Sequence, residues 1–271
     1  MVETTANEIW DNNPHVEQLV ASDCFIEEFA YPLIHRSGQE PVHFLQGFTE
    51  DLGRKLGIPL RLDTNHPSLY LSEAEKQPFP DLPKKYLCIN AGFKSDFTAK
   101  FASTKIYQEV IEHLATRLVF VQVGERNPSH THRPLHGVID MIGKTTTREL
   151  IRLAYHSMAG VGPISFLHHI YGAFQKPYIA MCGGREEISW EGYNTATMLT
   201  TMGQLECCRV KACWKAKTVP IPGDKNNSLC ALPVVNSVGE TLPKCMELLG
   251  SDAIIKALER MIAGGVIQVG S

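Results

Sequence analysis

The chain has 271 residues, of which 44% are hydrophobic and 20% charged, with a formal net charge of -3. That apolar content is enough for one large core or two modest ones, and it excludes disorder as a global description. The near-neutral charge argues against a protein whose main task is coating nucleic acid or an anionic membrane, though not against a local basic patch.

The opening segment, MVETTANEIWDNN, is acidic and polar, with neither the basic start nor the apolar run of a signal peptide. The longest stretch free of Asp, Glu, Lys and Arg runs from Leu153 to Gln175. It contains His156, His168, His169, Pro163 and several glycines, and so reads as buried turns and elements rather than a membrane span. A cytoplasmic protein is expected. No internal repeat or low-complexity tract is visible.

Residues 1 to about 80 are rich in His, Asn, Pro and acidic groups. The segment from Gln77 to Lys85 has three prolines and no helical period, and reads as a linker. Strand and helix patterns alternate after it. Strands are predicted at Tyr86–Ala91, Leu118–Val123, Val138–Ile142 and Pro177–Cys182, each ending at a glycine. Helices are predicted at Thr104–Thr116, at Thr147–His156 behind a threonine run, and at Ser165–Phe174 behind a GVGP turn. A closing helix is predicted at Ser251–Ala263 with Ser251 as its N-cap. This alternation predicts an α/β fold with a parallel sheet covered by helices, whose ligands bind beyond the carboxyl ends of the strands. The candidate loops are therefore 92–100, 124–134, 143–147, 160–165 and 183–190.

In INAGFKSDFTAK a buried strand runs into Gly92 and a loop carrying Lys94, Ser95, Thr98 and Lys100, which suits an anion such as a diphosphate. A solvated loop with surface lysines explains the same composition. Gly162, Pro163 and Ser165 precede a helix whose free amides make a second anion site, or only a helix cap. His168 and His169 point to different faces of that helix. Glu125, just past VQVG, suits ribose hydroxyls or is a surface acid. The histidines of SHTHRPLH, His130, His132 and His136, suit a metal or a polar loop.

Of eight cysteines, five lie in the Pro/Gly/Asn-rich stretch 207–245. Cys24, Cys88 and Cys182 are scattered in apolar surroundings and read as core residues. A segment unable to build its own core can be ordered by thiolate coordination. From Cys208 the spacing is C-x4-C-x16-C-x14-C, placing Cys208, Cys213, Cys230 and Cys245 as ligands of a structural zinc or iron. Cys207 and Cys208 are alternatives for one position, and free thiols in a long loop remain open.

In order, these segments resemble glycosyltransferase family 9, the ADP-heptose:lipopolysaccharide heptosyltransferase family. The resemblance covers most of residues 8–200 and rests on IWDNNPHVEQL, INAGFKSDFTAK, FVQVGE, DMIGKTTTRELIRLAYHS and the block from Val161 to Tyr193. The cysteine stretch is similar to family branches with a C-terminal four-cysteine metal finger. The resemblance implies a GT-B-like fold whose Rossmann-type donor domain spans 83–204 plus 250–271. A truncated acceptor-side domain would span 1–82, and the finger 205–249. It implies transfer of a sugar, a heptose by this likeness, from an ADP-sugar to a saccharide or lipopolysaccharide-type acceptor, with inversion and without a catalytic metal. Thr98 and Lys100 would meet the diphosphate, Glu125 the ribose, and Met141, Gly143 and Lys144 the adenine. Gly162, Pro163, Ser165 and His168 would face the diphosphate and sugar. The family's Asp-Ser-Gly is replaced here by Gly160-Val161-Gly162, and Glu3, Glu8 and Asp11 do not match its catalytic base. A donor-binding domain impaired in catalysis is the alternative. A third reading, nucleic-acid binding through Lys211, Lys215 and Lys217 around Trp214, is disfavoured by the flat charge. A homo-oligomer is left open.

Overall fold

The computed structural model describes residues 4, 6–17, 27–28 and 40–269; Cys24 and Glu3 lie outside them. Six strands form one parallel sheet: β1 (Leu87–Ile89), β3 (Phe120–Gln122), β5 (Ile139–Asp140), β6 (Ala159–Pro163), β7 (Tyr178–Gly183) and β8 (Ala196–Thr200). Their order is β5-β3-β1-β6-β7-β8. Two short antiparallel pairs lie outside it: β2 (Phe93–Lys94) with β4 (His130–Thr131), and β9 (Pro233–Val235) with β10 (Thr241–Pro243). The helices are α1 (Phe44–Leu56), α2 (Thr104–Leu114), α3 (Thr147–His156), α4 (Phe166–Ala173), α5 (Ile188–Glu191), α6 (Lys244–Glu247) and α7 (Gly250–Ala263).

The sheet is buried on both faces, as a parallel sheet between helices must be. Alternation along each strand divides the core. Leu87, Ile89, Val161, Ile179 and Met181 pack with α2 and α7. Cys88, Tyr178, Ala180 and Cys182 pack with α3 and α4 on the other side. Cys88 and Cys182 are thus core residues, as expected.

The predicted strands and helices are present, most of them shortened at the ends. The sequence does not anticipate α1, β6 and β8, nor the short elements β2, β4, β9, β10, α5 and α6. The correction at β6 matters most, because 160–163 is a central strand and not the turn that GVGP suggests. Gly160 pairs with Tyr178 and Gly162 with Ala180. A methyl on Gly160 would lie 2.6 Å from the Tyr171 ring, and one on Gly162 2.8 Å from the Asn90 carbonyl. These glycines mark close packing inside a strand, not chain reversal.

Local capping follows the sequence reading at α3, departs from it at α4 and α7, and adds a cap at α2. Thr146 and Glu149 form a reciprocal capping box at α3. Ser103 caps α2, and the buried Glu240 carboxylate joins it there, accepting from Ser103 Oγ at 2.7 Å and Thr104 N at 3.2 Å. Ser165 precedes α4 but makes no side-chain cap bond. Ser251 is not the cap of α7, which begins at Gly250 behind Leu249; its hydroxyl donates to Glu109 at 2.6 Å instead.

The early part of the chain is strapped to α3. Arg148 donates to both Glu75 oxygens at 2.7 Å and to the Tyr70 carbonyl at 2.8 Å. Arg152 donates to the Gln77 carbonyl at 2.9 Å and lies 4.1 Å from the Phe79 ring centre, so the expected linker is packed down. The Arg148 guanidinium holds the Glu75 carboxyl down at about 2, from an ordinary 4.5. The carboxylate is favoured in the folded state, so its contribution is full above about pH 4.5 and disappears as the pH falls towards 2. Arg148→Ala should therefore lower the melting temperature most at neutral pH, with the deficit shrinking in melts taken down to pH 3. A constant deficit would show that the strap acts through the carbonyls alone.

Candidate functional site

β1 continues through β3 to β5 on one side, and β6 through β7 to β8 on the other, so the topological switch point lies between β1 and β6. In open parallel sheets the crevice beyond the strand ends at this point receives the ligand. Lys100 stands there, at the end of a short 3-10 helix formed by Thr98–Lys100. Its ammonium donates to the Ile164 carbonyl at 3.0 Å, just past β6. It pairs at 2.7 Å with the Glu186 carboxylate, just past β7. Three loops from three strands thus converge on one lysine that keeps about a fifth of its side chain exposed (21%).

Glu186 is fully buried and is also paired with Arg185. The Arg185 guanidinium stacks 4.5 Å from the Trp214 ring centre and donates through Nε to the Lys215 carbonyl at 2.5 Å. Trp214 in turn meets Trp190 edge to face at 4.7 Å, and Phe44 of α1 stacks on Trp190 at 6.2 Å.

On α4, His168 donates from Nε2 to the Glu191 carbonyl at 2.7 Å. Burial lowers its pKa to about 4, so the ring is neutral near pH 7. The Glu191 carboxyl is pushed up to about 7, by burial first and by Glu186 second. Several buried polar atoms here have no hydrogen-bond partner: Ser165 Oγ, His168 Nδ1, Arg185 Nη2, Glu186 Oε2, Ser189 Oγ and Glu191 Oε2. Gly162 and Pro163 lie within β6, where the Pro163 carbonyl accepts from Tyr178 OH at 3.0 Å.

A second group lies past β3 and β5. The Gly143 amide donates to the Gly124 carbonyl at 2.8 Å, joining the two turns. Gly143 has φ +67, which glycine adopts without strain. Glu125 is exposed beside this junction and accepts from Asn127 at 2.5 Å. Met141 is half-buried, and Lys144 is exposed with its ammonium 2.6 Å from the Asp140 carbonyl. The His132 ring lies between the two groups. A methyl on either Gly92 or Gly124 would collide with it, so the strand-end glycines make the notch this imidazole fills. Its neighbour His130 hydrogen-bonds Asn127 at 2.8 Å, and His136 is exposed and set apart by its backbone bond to Gln108.

The cysteine stretch binds both loops of the first group. The Ala99 amide donates to the Ala216 carbonyl at 2.9 Å, and the Thr218 amide to Thr98 Oγ1 at 2.8 Å. The Cys213 amide reaches the Gly184 carbonyl at 3.2 Å and the Trp214 amide the Arg185 carbonyl at 3.1 Å. Thr98 therefore works as an anchor for this stretch. Cys207, Cys208, Cys213, Cys230 and Cys245 all line one cavity of about 320 Å³, with Gly184 and Arg185 in its wall. All five are free thiols. Burial, and then mutual repulsion between thiolates, pushes Cys207 up to about 11 and Cys245 up to about 12. Among the described residues no group of three or more His, Cys, Asp or Glu side chains stands in metal-holding geometry. The donor set is nonetheless right in kind, since a cation would reverse the repulsion that raises these thiols. Lys217 is buried and paired with Asp224, and Trp214 is covered by Arg185, so these two supply neither a free charge nor an open stacking face for nucleic acid.

Sequence reading named the loop 183–190 but no residue in it. Arg185 and Glu186 were missed, though an arginine followed by acids directly after a buried strand was the available signal; Glu191, at the end of α5, carries no such signal.

The fold is a mixed α/β arrangement whose six-stranded parallel sheet matches GT-B-like glycosyltransferases. A family 9 glycosyltransferase structure from Veillonella parvula superposes with a TM-score of 0.52 at 13% identity, over 82% of this chain and 61% of that one. The iron-containing dodecameric glycosyltransferase TibC from enterotoxigenic E. coli gives 0.48 at 20% identity, over 83% of this chain and 54% of that one. The ADP-heptose heptosyltransferase II of E. coli gives 0.47 at 14% identity, over 76% and 55%. The chain thus spans little more than half the length of these proteins. No protein-family model matches it, and no curated protein does. Among the described residues no helix is long and apolar enough to cross a membrane.

Proposed function

We propose that this chain binds the donor of a glycosyltransferase reaction, an ADP-sugar, and presents its sugar for inverting transfer to a saccharide or lipopolysaccharide-type acceptor. The observation that carries this reading is the convergence of the β1, β6 and β7 loops on Lys100 at the switch point. The leaving group would be a nucleoside diphosphate, and its growing charge would be met by Lys100 and the first amides of α4. Glu125, Met141, Gly143 and Lys144, joined through the Gly124–Gly143 bond, are the proposed adenosine end, with heptose the proposed sugar. TibC has been crystallised with ADP-D-beta-D-heptose, which supports a nucleotide-sugar ligand for this sheet. Residues 83–204 with 250–271 would be the donor domain, 205–249 its cysteine-rich insertion and 1–82 the acceptor side.

Cys208, Cys213, Cys230 and Cys245 would hold a structural zinc or iron; TibC is described as iron-containing, and the five-thiol cavity supports a metal here. Its role would be to order the stretch that anchors Thr98 and Arg185. Stoichiometric metal by elemental analysis is expected, and a metal-free, well-folded protein would remove it.

The second reading is a donor-binding domain without transfer. It is favoured by the early acids Glu3, Glu8 and Asp11, none of which matches the catalytic base of the family that the chain resembles. Calorimetry with ADP tests both readings, and no binding at millimolar concentration would sink them. Release of ADP in the presence of a saccharide acceptor separates transfer from binding alone.

A further inference from the structure

The pairing of β2 with β4 joins the loops that follow β1 and β3, and the residue after β4, His132, puts its ring into the notch between Gly92 and Gly124. A side chain on either glycine would fill that space from within. The chain instead leaves both positions bare and fills the notch from a loop, with a group that is able to leave.

His132 is a poor choice for a permanent filler. Its Nδ1 is buried without a hydrogen-bond partner, a cost that an apolar side chain would avoid. The residue is only half-buried, and its neighbours Thr131, Arg133 and Pro134 are exposed. Burial first, and then His130, lowers its pKa against the opposing pull of Glu125, so the ring is neutral near pH 7. It therefore occupies the strand ends without bringing them a positive charge that would attract an anion.

The backbone on either side of the ring is anchored. Phe93 of β2 packs on the buried Phe101 at 4.6 Å, and β4 holds to β2 through the pairs Phe93 with Thr131 and Lys94 with His130. The His130 ring is bonded to Asn127 at 2.8 Å. Beyond His132, the buried Gln122 side chain donates to the Arg133 carbonyl at 2.9 Å and accepts from the Leu135 amide at 3.0 Å. The ring itself meets its aromatic neighbour His130 only at 6.5 Å between centres. His132 can thus leave the notch by side-chain rotation, with β4 in place.

We propose that His132 is a gate residue: its imidazole occupies the nucleotide's way to the ends of β1 and β3, and the donor binds only after the ring has turned out. This rests on the donor-binding reading above and adds that the free chain occupies its own site. A ligand that binds only the open state has its affinity reduced by the open fraction, so a fraction of about one tenth costs about tenfold.

The test is calorimetry with ADP on the full chain, together with nuclear Overhauser contacts of the His132 ring. His132→Ala and His132→Asn should each bind ADP about tenfold more tightly than wild type. Asn keeps a polar side chain at the position, so the test stays decisive should the alanine variant fold poorly. In free wild-type protein the ring proton on His132 Cε1 should show contacts to the Gly92 and Gly124 α-protons, and saturating ADP should abolish them. ADP affinity that is unchanged or weaker in both variants overturns the gate and leaves the donor reading standing, since the ring would then be inert or would touch the ligand. Ring contacts that persist at saturating ADP overturn it as well. If neither wild type nor variants bind ADP, the donor reading falls and the gate with it.

Discussion

Lys100→Ala should weaken ADP binding about tenfold while leaving adenosine binding within about twofold, both read by calorimetry. A charge-assisted bond to a diphosphate is worth about 1.5–3 kcal/mol. The lower end applies here because Lys100 is already engaged, at 2.7 Å from Glu186 and 3.0 Å from the Ile164 carbonyl. To hold a diphosphate it must share or give up the carboxylate, which keeps Arg185 as its second cation. Adenosine lacks the diphosphate and should be indifferent to the change. Equal losses for both ligands would show that Lys100 shapes the loops and does not meet the anion.

Arg185→Met should be the most destabilising single change in the crevice, by about 3 kcal/mol or roughly 10 °C in melting temperature. Arg185 is 1% exposed and its partner Glu186 is fully buried. Removing one member of a buried pair strands the other, which typically costs about 3–5 kcal/mol. Lys100 continues to face Glu186, so the lower figure is expected. The bond to the Lys215 carbonyl and the stack on Trp214 are lost as well, which loosens the cysteine stretch. Adding Glu186→Gln to Arg185→Met should restore part of the loss by removing the stranded charge. If the double variant melts no higher than the single one, the lost packing on Trp214 and not the buried carboxylate sets the stability.

Much of the framework was legible along the chain. All of LVFVQV except Val119 and all of PYIAMC after its proline are buried, both run into glycines, and the threonine run before Arg148 carries its own capping box. Those features depend on neighbours within a few residues, and local rules read them well. β6 was not legible, because its glycines answer to the rings of Tyr171 and Tyr178, and small residues in a strand look the same in sequence as small residues in a turn. β8 was missed for a related reason: ATMLT has no sharp alternation, and as an edge strand it is only half-buried throughout.

The site divides in the same way. That strand-end loops would carry the function, and that Lys100 lies in one of them, follows from the repeating strand–helix pattern alone, since parallel strands place all such loops at one edge. Which side chains meet there did not follow. Lys100 and Glu186 are 86 positions apart, and Thr98 and Thr218 are 120 apart. Sequence by itself determined an α/β chain with anion-suited turns and a thiol-rich stretch, because composition and period are local properties. Only the tertiary structure decided that the thiol-rich stretch clamps those turns and that an acid neutralises the lysine. Strand order brings the β1 and β7 loops to the same crevice, and nothing in either segment encodes its neighbour.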